Sequence, residues 1–194
     1  MRLEYVPNPP QFDDKEDKAV VERVKERRGE RGLQPLDLTL LHSPPVADGW
    51  NSFLRAIRTQ TSLPTSVREV AICRVAILNK AWYEWDHHAP LLRNDPAKAV
   101  SGEGVQYILE APPHPSPGQG PLDDKHLAVL AYTDAMTLDV QVPDLVFNRL
   151  KKEFTDREVV EITATVAAYN TVSRFLVALD VGEKNAQEGP SAAH

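Results

Sequence analysis

The chain has 194 residues, of which 42% are hydrophobic and 26% charged, with 22 Lys+Arg against 28 Asp+Glu and a net charge of −6. These are ordinary globular values, enough for one domain with a sizeable core, and they exclude a fully disordered chain. The acidic balance argues against nucleic acid or an anionic membrane surface as a partner, since both need a concentrated basic face.

Residues 1–12 carry three prolines and little periodicity, and read as an extended arm that is either disordered or laid across another subunit. From Asp13, DDKEDKAVVERVKERRGERG predicts a peripheral helix, acidic in its first turn and basic in its last, which Gly29 or Gly32 stops. Pro35 starts a short helix through Leu36, Leu38, Leu40 and Leu41, with Pro44 and Pro45 expected to end it and His42 at its close. Next, Trp50, Phe53, Leu54 and Ile57 follow the 3.6-residue period and predict a helix that buries them.

The richest stretch is Thr65 to Leu92, TSVREVAICRVAILNKAWYEWDHHAPLL. Thr65 or Ser66 offers an N-cap, and Glu69 lies three residues beyond Ser66, so a capping box is the competing structural reading of this carboxylate. Glu84 and His88 are at i and i+4, which on a helix brings a carboxylate beside an imidazole on one face. Their setting between tryptophans and an apolar run favours proton transfer over a surface pair, because burying both groups otherwise costs free energy. Pro90 and Asn94-Asp95-Pro96 are expected to break the helix.

Ser101 caps a short helix, SGEGVQYILEA, and the segment 111–121, with five prolines and two glycines, reads as a surface loop. LDDKHLAVLAYTDAMTL starts near Asp123 or Asp124 and is expected to bury Leu127, Leu130, Ala131 and Met136. A helix follows from Pro143. Thr155, with Glu158 as its capping-box partner, opens the last one, which runs to Gly182. The polar tail is expected to fray. With no strand-like alternation, the fold class is all-α: a single helical domain over 13–181, between the arm 1–12 and the tail 182–194.

Two runs resemble each other, TSVREVAICRVAI and TDREVVEITATVAAYN, each a helix start followed by alanines and β-branched residues. Both are apolar round most of their circumference, which predicts burial on all sides, partly in a subunit interface. Cys73 is the only cysteine, so no intrachain disulfide, CxxC pair or thiolate cluster is available, and a reducing compartment is expected. The first residues lack the pattern of a leader, and no run reaches the roughly twenty apolar residues of a membrane span, so cytoplasmic residence is the expectation. Glu84-x-x-His87 also fits a di-metal carboxylate spacing, but the only companion, Asp123-x-x-His126, has the wrong acid, so no metal is expected.

REVAI followed by WYEWDHHAPLL, and then DREVVEITATVAAYNTVSRF, resembles the carboxymuconolactone decarboxylase family, which shares the all-helical fold of AhpD, over roughly 46–181. The resemblance implies an AhpD-like helical bundle in which Glu69, Glu84 and His88 form the catalytic set, working without a metal or organic cofactor in a homotrimer or homohexamer. Ala81 and Glu84 stand where the peroxidase branch has its two cysteines, so thiol peroxidase chemistry is not expected. The decarboxylase-like branch implies loss of carbon dioxide from a small unsaturated lactone or related acid. His88 would be the general acid or base, Glu84 would hold its tautomer, and Glu69 would reach in from the preceding helix. Tyr83, His87 and Arg74 are candidate donors to the developing enolate, and Trp85 a candidate aromatic wall. A cofactor-free isomerase, cyclase or hydrolase would use the same pair, and a non-catalytic oligomeric scaffold would use none of it.

Overall fold

The computed structural model describes residues 1–116, 118 and 120–190; parts of the proline-rich loop (117, 119) and of the tail (191–194) lie outside the described residues. The described residues form helices and loops with no strand, as the sequence predicts. Two compact units are present, Met1–Thr61 with Ala178–Glu183, and Ser62–Val177 with Lys184–His194.

In the first unit, α1 (Lys15–Arg28) begins where Asp14 Oδ1 accepts from the N–H groups of Glu16 and Asp17, at 2.7 and 3.1 Å. It stops at Gly29, whose φ of 59° combined with a ψ of −139° suits glycine. α1 lays Val20, Val21 and Val24 against α3 (Pro44–Thr59). Between them lies α2 (Pro35–Leu40), whose buried Asp37 is held by Arg28 through two 2.7 Å bonds and caps Gln34 N–H at 2.8 Å.

Three expectations change in this unit. Pro44 and Pro45 do not end α2; they start α3, because the first turn of a helix has no use for the N–H that proline lacks. Phe53 is 48% exposed, and the buried face of α3 is Ala47, Asn51, Leu54 and Ile57, with Asn51 taking a hydrogen bond from Arg27 of α1. The first residues lie along their own unit: Val6 N–H donates to Leu38 C=O, and the exposed His42 bonds Glu4 C=O through Nε2 at 2.7 Å.

The second unit is built round α4 (Thr65–Leu78), which packs on α5 (Trp82–Arg93), α6 (Gly102–Glu110) and α7 (Asp124–Asp134). Residues 70–76 of α4 are at most 1% exposed, so every side of this helix is covered. A turn at Asn79-Lys80-Ala81, with Lys80 at φ 53°, separates α4 from α5. Pro90 does not break α5, because it falls in the last turn and the helix runs on to Arg93. A π-helical turn, Ala135–Asp139, extends α7, burying Leu127 and Leu130 while Ala131 and Met136 are only half-buried.

α8 (Asp144–Glu153) and α9 (Asp156–Leu179) complete the chain. Thr155 and Glu158 make the expected capping box: Thr155 N–H donates to Glu158 Oε2 at 2.8 Å, and Glu158 N–H to Thr155 Oγ1 at 3.3 Å. α9 is long and apolar enough to cross a bilayer by length and composition, contrary to the sequence expectation, and half of that window is buried inside the chain. Nor is it covered on all sides, since Val160 is 67% exposed. The described start of the tail is fastened rather than frayed: Gln187 C=O accepts from Trp82 Nε1 at 2.9 Å, and Lys184 pairs with Asp86 at 3.0 Å.

Candidate active site

The alanines and β-branched residues of α4 let α5 approach closely enough for side chains of the two helices to meet in a dry interior. Glu69 on α4 and His88 on α5 are 1% and 6% exposed, and His88 Nδ1–H donates to Glu69 Oε2 at 2.6 Å. The short distance is that of a charge-assisted bond. It places the imidazole proton on Nδ1 when the ring is neutral.

This geometry corrects two expectations. Glu69 is not a capping-box residue: α4 already begins at Thr65, with Pro64 as its N-cap residue, so Glu69 lies beyond the first-turn N–H groups that need a cap. And Glu84 does not hold the His88 ring. Glu84 is 2% exposed, and neither of its carboxylate oxygens has a hydrogen-bond partner among the described residues. Burial pushes its carboxyl well above the ordinary glutamate value of 4.5.

Other groups complete the surroundings. Tyr169 of α9 meets His88 edge-on, with ring centroids 5.0 Å apart, and fixes the second side of the imidazole. Arg68 Nε lies 3.4 Å from Glu69 Oε1. Cys73, one turn along α4 from Glu69, is fully buried, and burial followed by the nearby Glu69 and Glu84 carboxyls pushes its thiol well above 9.0. A thiol held neutral in this way is not a nucleophile.

The remaining candidates are dispersed. Arg74 is 0% exposed and spends all five of its donors inside the protein: two on Asp134, at 2.5 and 2.9 Å, and three on the carbonyls of Ile108, Ala111 and Pro112. It is a strut between α4, α7 and the start of the proline-rich loop, with nothing left for an enolate. His87 is exposed, stacks on Tyr83 at 4.2 Å, and donates from Nδ1 to the Tyr83 carbonyl at 2.7 Å. Trp85 is 2% exposed and packs in the core. Glu84 is buried and His87 exposed, so they occupy different sides of α5, and His126 Nδ1 is bound to Asp123 at 2.7 Å. Among the described residues, no group of three or more His, Cys, Asp or Glu side chains is placed to hold a metal ion.

Sequence reasoning passed over Tyr169 and Arg68 as site residues. The signal for Tyr169 in the sequence is its place in the second REV-type run, which resembles that of α4.

Residues 44–100, which include Glu69, Glu84 and His88, match the model of the Carboxymuconolactone decarboxylase family. That match covers under half of the chain, and the fold around it is AhpD-like. Solved structures extend the likeness along the chain. The alkylhydroperoxidase AhpD core protein from Ralstonia eutropha JMP134 aligns with a TM-score of 0.69 and 17% identity over 84% of each chain. ATU0492 from Agrobacterium tumefaciens, a protein of unknown function, aligns with a TM-score of 0.62 and 23% identity, over 78% of this chain and 94% of its own. A variant of the debrominase Bmp8, in complex with 2,3,4-tribromopyrrole, aligns with a TM-score of 0.65 and 18% identity over 87% and 86%. No curated protein matches the chain. The match to the carboxymuconolactone decarboxylase family model spans α3 to α5 and the residues after them as far as Val100, and so includes both halves of the Glu69–His88 pair.

Proposed function

We propose that the chain is a cofactor-independent acid–base enzyme that decarboxylates a small unsaturated lactone acid. The observation that carries this is the 2.6 Å bond between His88 Nδ1 and Glu69 Oε2 inside a nearly dry helical pair. A histidine oriented by a buried carboxylate is suited to deliver a proton from Nε2, and its family setting supports lactone chemistry.

Loss of carbon dioxide breaks the bond from the carboxylate to carbon and leaves the electron pair on that carbon. A conjugated lactone carbonyl accepts the pair as an enolate. Protonated His88 then gives its Nε2 proton to carbon, the lactone carbonyl re-forms, and water restores the proton to the ring. Glu69 stays ionised throughout and holds the imidazolium in place. General acid–base groups of this kind contribute about 10²–10⁴-fold, so positioning and enolate stabilisation must supply the rest. The small planar ring bound by Bmp8 supports a ligand of similar size here.

The working form is proposed to be a homo-oligomer, supported by Val160 of α9, an apolar side chain that is 67% exposed. Size-exclusion chromatography with light scattering tests that directly. The activity itself is tested by incubating the purified protein with 4-carboxymuconolactone and measuring carbon dioxide released. Turnover that disappears in His88→Ala supports the reading; no release by wild type, or equal release by the variant, rejects it.

A further inference from the structure

Glu84 is the one buried acid near the Glu69–His88 pair whose role that pair does not explain. It sits one helical turn before His88 on α5, 2% exposed, and both of its oxygens lack a partner among the described residues. Three other buried acids have found theirs: Asp134 holds Arg74, Asp37 holds Arg28, and Glu69 holds His88, while Asp95 keeps one oxygen unpartnered among the described residues. Leaving a carboxyl dry and unbonded is unfavourable, and native proteins retain such groups chiefly where something else completes them.

The surroundings decide its charge state. Arg74, a fully buried cation of the same unit, has no donor to spare, and the Cys73 thiol lies close enough to feel the carboxyls of both Glu69 and Glu84. An ionised Glu84 would be an uncompensated buried charge, so burial favours the neutral carboxyl. A neutral carboxyl has one O–H donor and one carbonyl acceptor, and here neither is used. The same arrangement, a protonated carboxylic acid in an apolar site, is a known way to donate a hydrogen bond to a developing oxyanion.

We propose that Glu84 is a catalytic hydrogen-bond donor whose O–H engages a carbonyl oxygen of the substrate, so that the site selects ligands presenting an uncharged carbonyl, of the lactone class, to this face of α5. This rests on the acid–base reading above in one respect: the carbonyl bound by Glu84 is the one that receives the electron pair when carbon dioxide leaves. The enolate oxygen then accepts a stronger hydrogen bond than the ground-state carbonyl did, and when His88 protonates carbon the pair returns and the bond relaxes. The Glu84 proton never leaves its oxygen.

The test uses 2(5H)-furanone, a neutral unsaturated lactone with no carboxylate, as probe, with binding followed by ligand-observed NMR. Wild type and His88→Ala are expected to bind it alike, Glu84→Gln, which keeps an N–H donor, within a few-fold, and Glu84→Leu about tenfold more weakly or less. In infrared difference spectra, the carbonyl band of bound furanone is expected at lower frequency in wild type than in Glu84→Gln, because a carboxylic acid is the stronger donor. Absence of furanone binding to wild type, full binding to Glu84→Leu, or an identical carbonyl band in wild type and Glu84→Gln each overturns the proposal. If Glu84→Leu does not fold, the comparison of wild type with Glu84→Gln decides. Loss of the decarboxylase reading alone has a different signature, furanone bound through Glu84 with no dependence of turnover on His88.

Discussion

His88 and Glu84 are one turn apart on α5, yet His88 donates its Nδ1–H to Glu69, nineteen residues earlier on α4, and Glu84 has no hydrogen-bond partner among the described residues. A hydrogen bond across two packed helices is fixed by both backbones, whereas an i,i+4 pair is fixed by one. The two carboxyls therefore divide into one that orients the ring and one that burial pushes above the ordinary glutamate value.

The first consequence concerns the histidine. A far-downfield proton resonance from His88 Nδ1–H is expected in wild type and in Glu84→Gln, and is expected to vanish in Glu69→Ala. Glu69→Gln is expected to lower kcat by about 10²–10⁴-fold with KM little changed, since it removes orientation and charge and leaves binding alone. A resonance that survives Glu69→Ala but is lost in Glu84→Gln would return the ring to its neighbour on α5.

Stability should depend on pH through Glu84. Its carboxyl is raised above the ordinary value of 4.5, so the folded chain binds that proton more tightly than the unfolded chain does. The stabilisation is fully present below the unfolded value and is lost as pH rises through the raised one. Urea denaturation at about pH 5 and about pH 8 should show wild type losing more stability between the two than Glu84→Gln. Parallel losses in the two proteins would mean that Glu84 is ionised in the fold.

Cys73 should behave as a core residue. Its thiol is fully buried and pushed up by burial first and by the carboxyls of Glu69 and Glu84 after that. Labelling by an aromatic disulfide reagent at neutral pH is expected to proceed only as fast as the unit opens, and to become immediate in denaturant. Rapid labelling of the native chain would show an open site.

Arg74 carries a large part of the second unit's specificity. Replacing it by Met leaves Asp134 as an unpaired buried charge and releases three carbonyls, which should cost about 3–5 kcal/mol. Arg74→Lys should recover little of this, since an ammonium cannot make the two-pronged bond to Asp134 and reach Ile108, Ala111 and Pro112 as well. Denaturant midpoints of the two variants measure it, and a loss under about 1 kcal/mol in Arg74→Met would show that the strut is dispensable.

The sequence by itself determined the all-helical class, the order of the helices, and the caps that depend on neighbours in the chain. Asp123 at α7 and the Thr155–Glu158 box at α9 were legible because a cap is a bond between residues three apart. It also placed Glu69, Glu84 and His88 in one stretch, since a concentration of acids and imidazole within an apolar run is visible without a fold. What only the tertiary structure decided was which of these groups meet. Ser66 and Glu69 have the same spacing as Thr155 and Glu158, but α4 begins earlier than α9 does relative to the motif, and that small offset turns a cap into a site residue. Arg74 looked like a donor for substrate until α7 supplied Asp134, sixty residues away. Periodicity reports which side of a helix is apolar; it holds no information about which polar atom on another helix lies opposite, because that is set by how far apart and at what angle two packed surfaces come to rest.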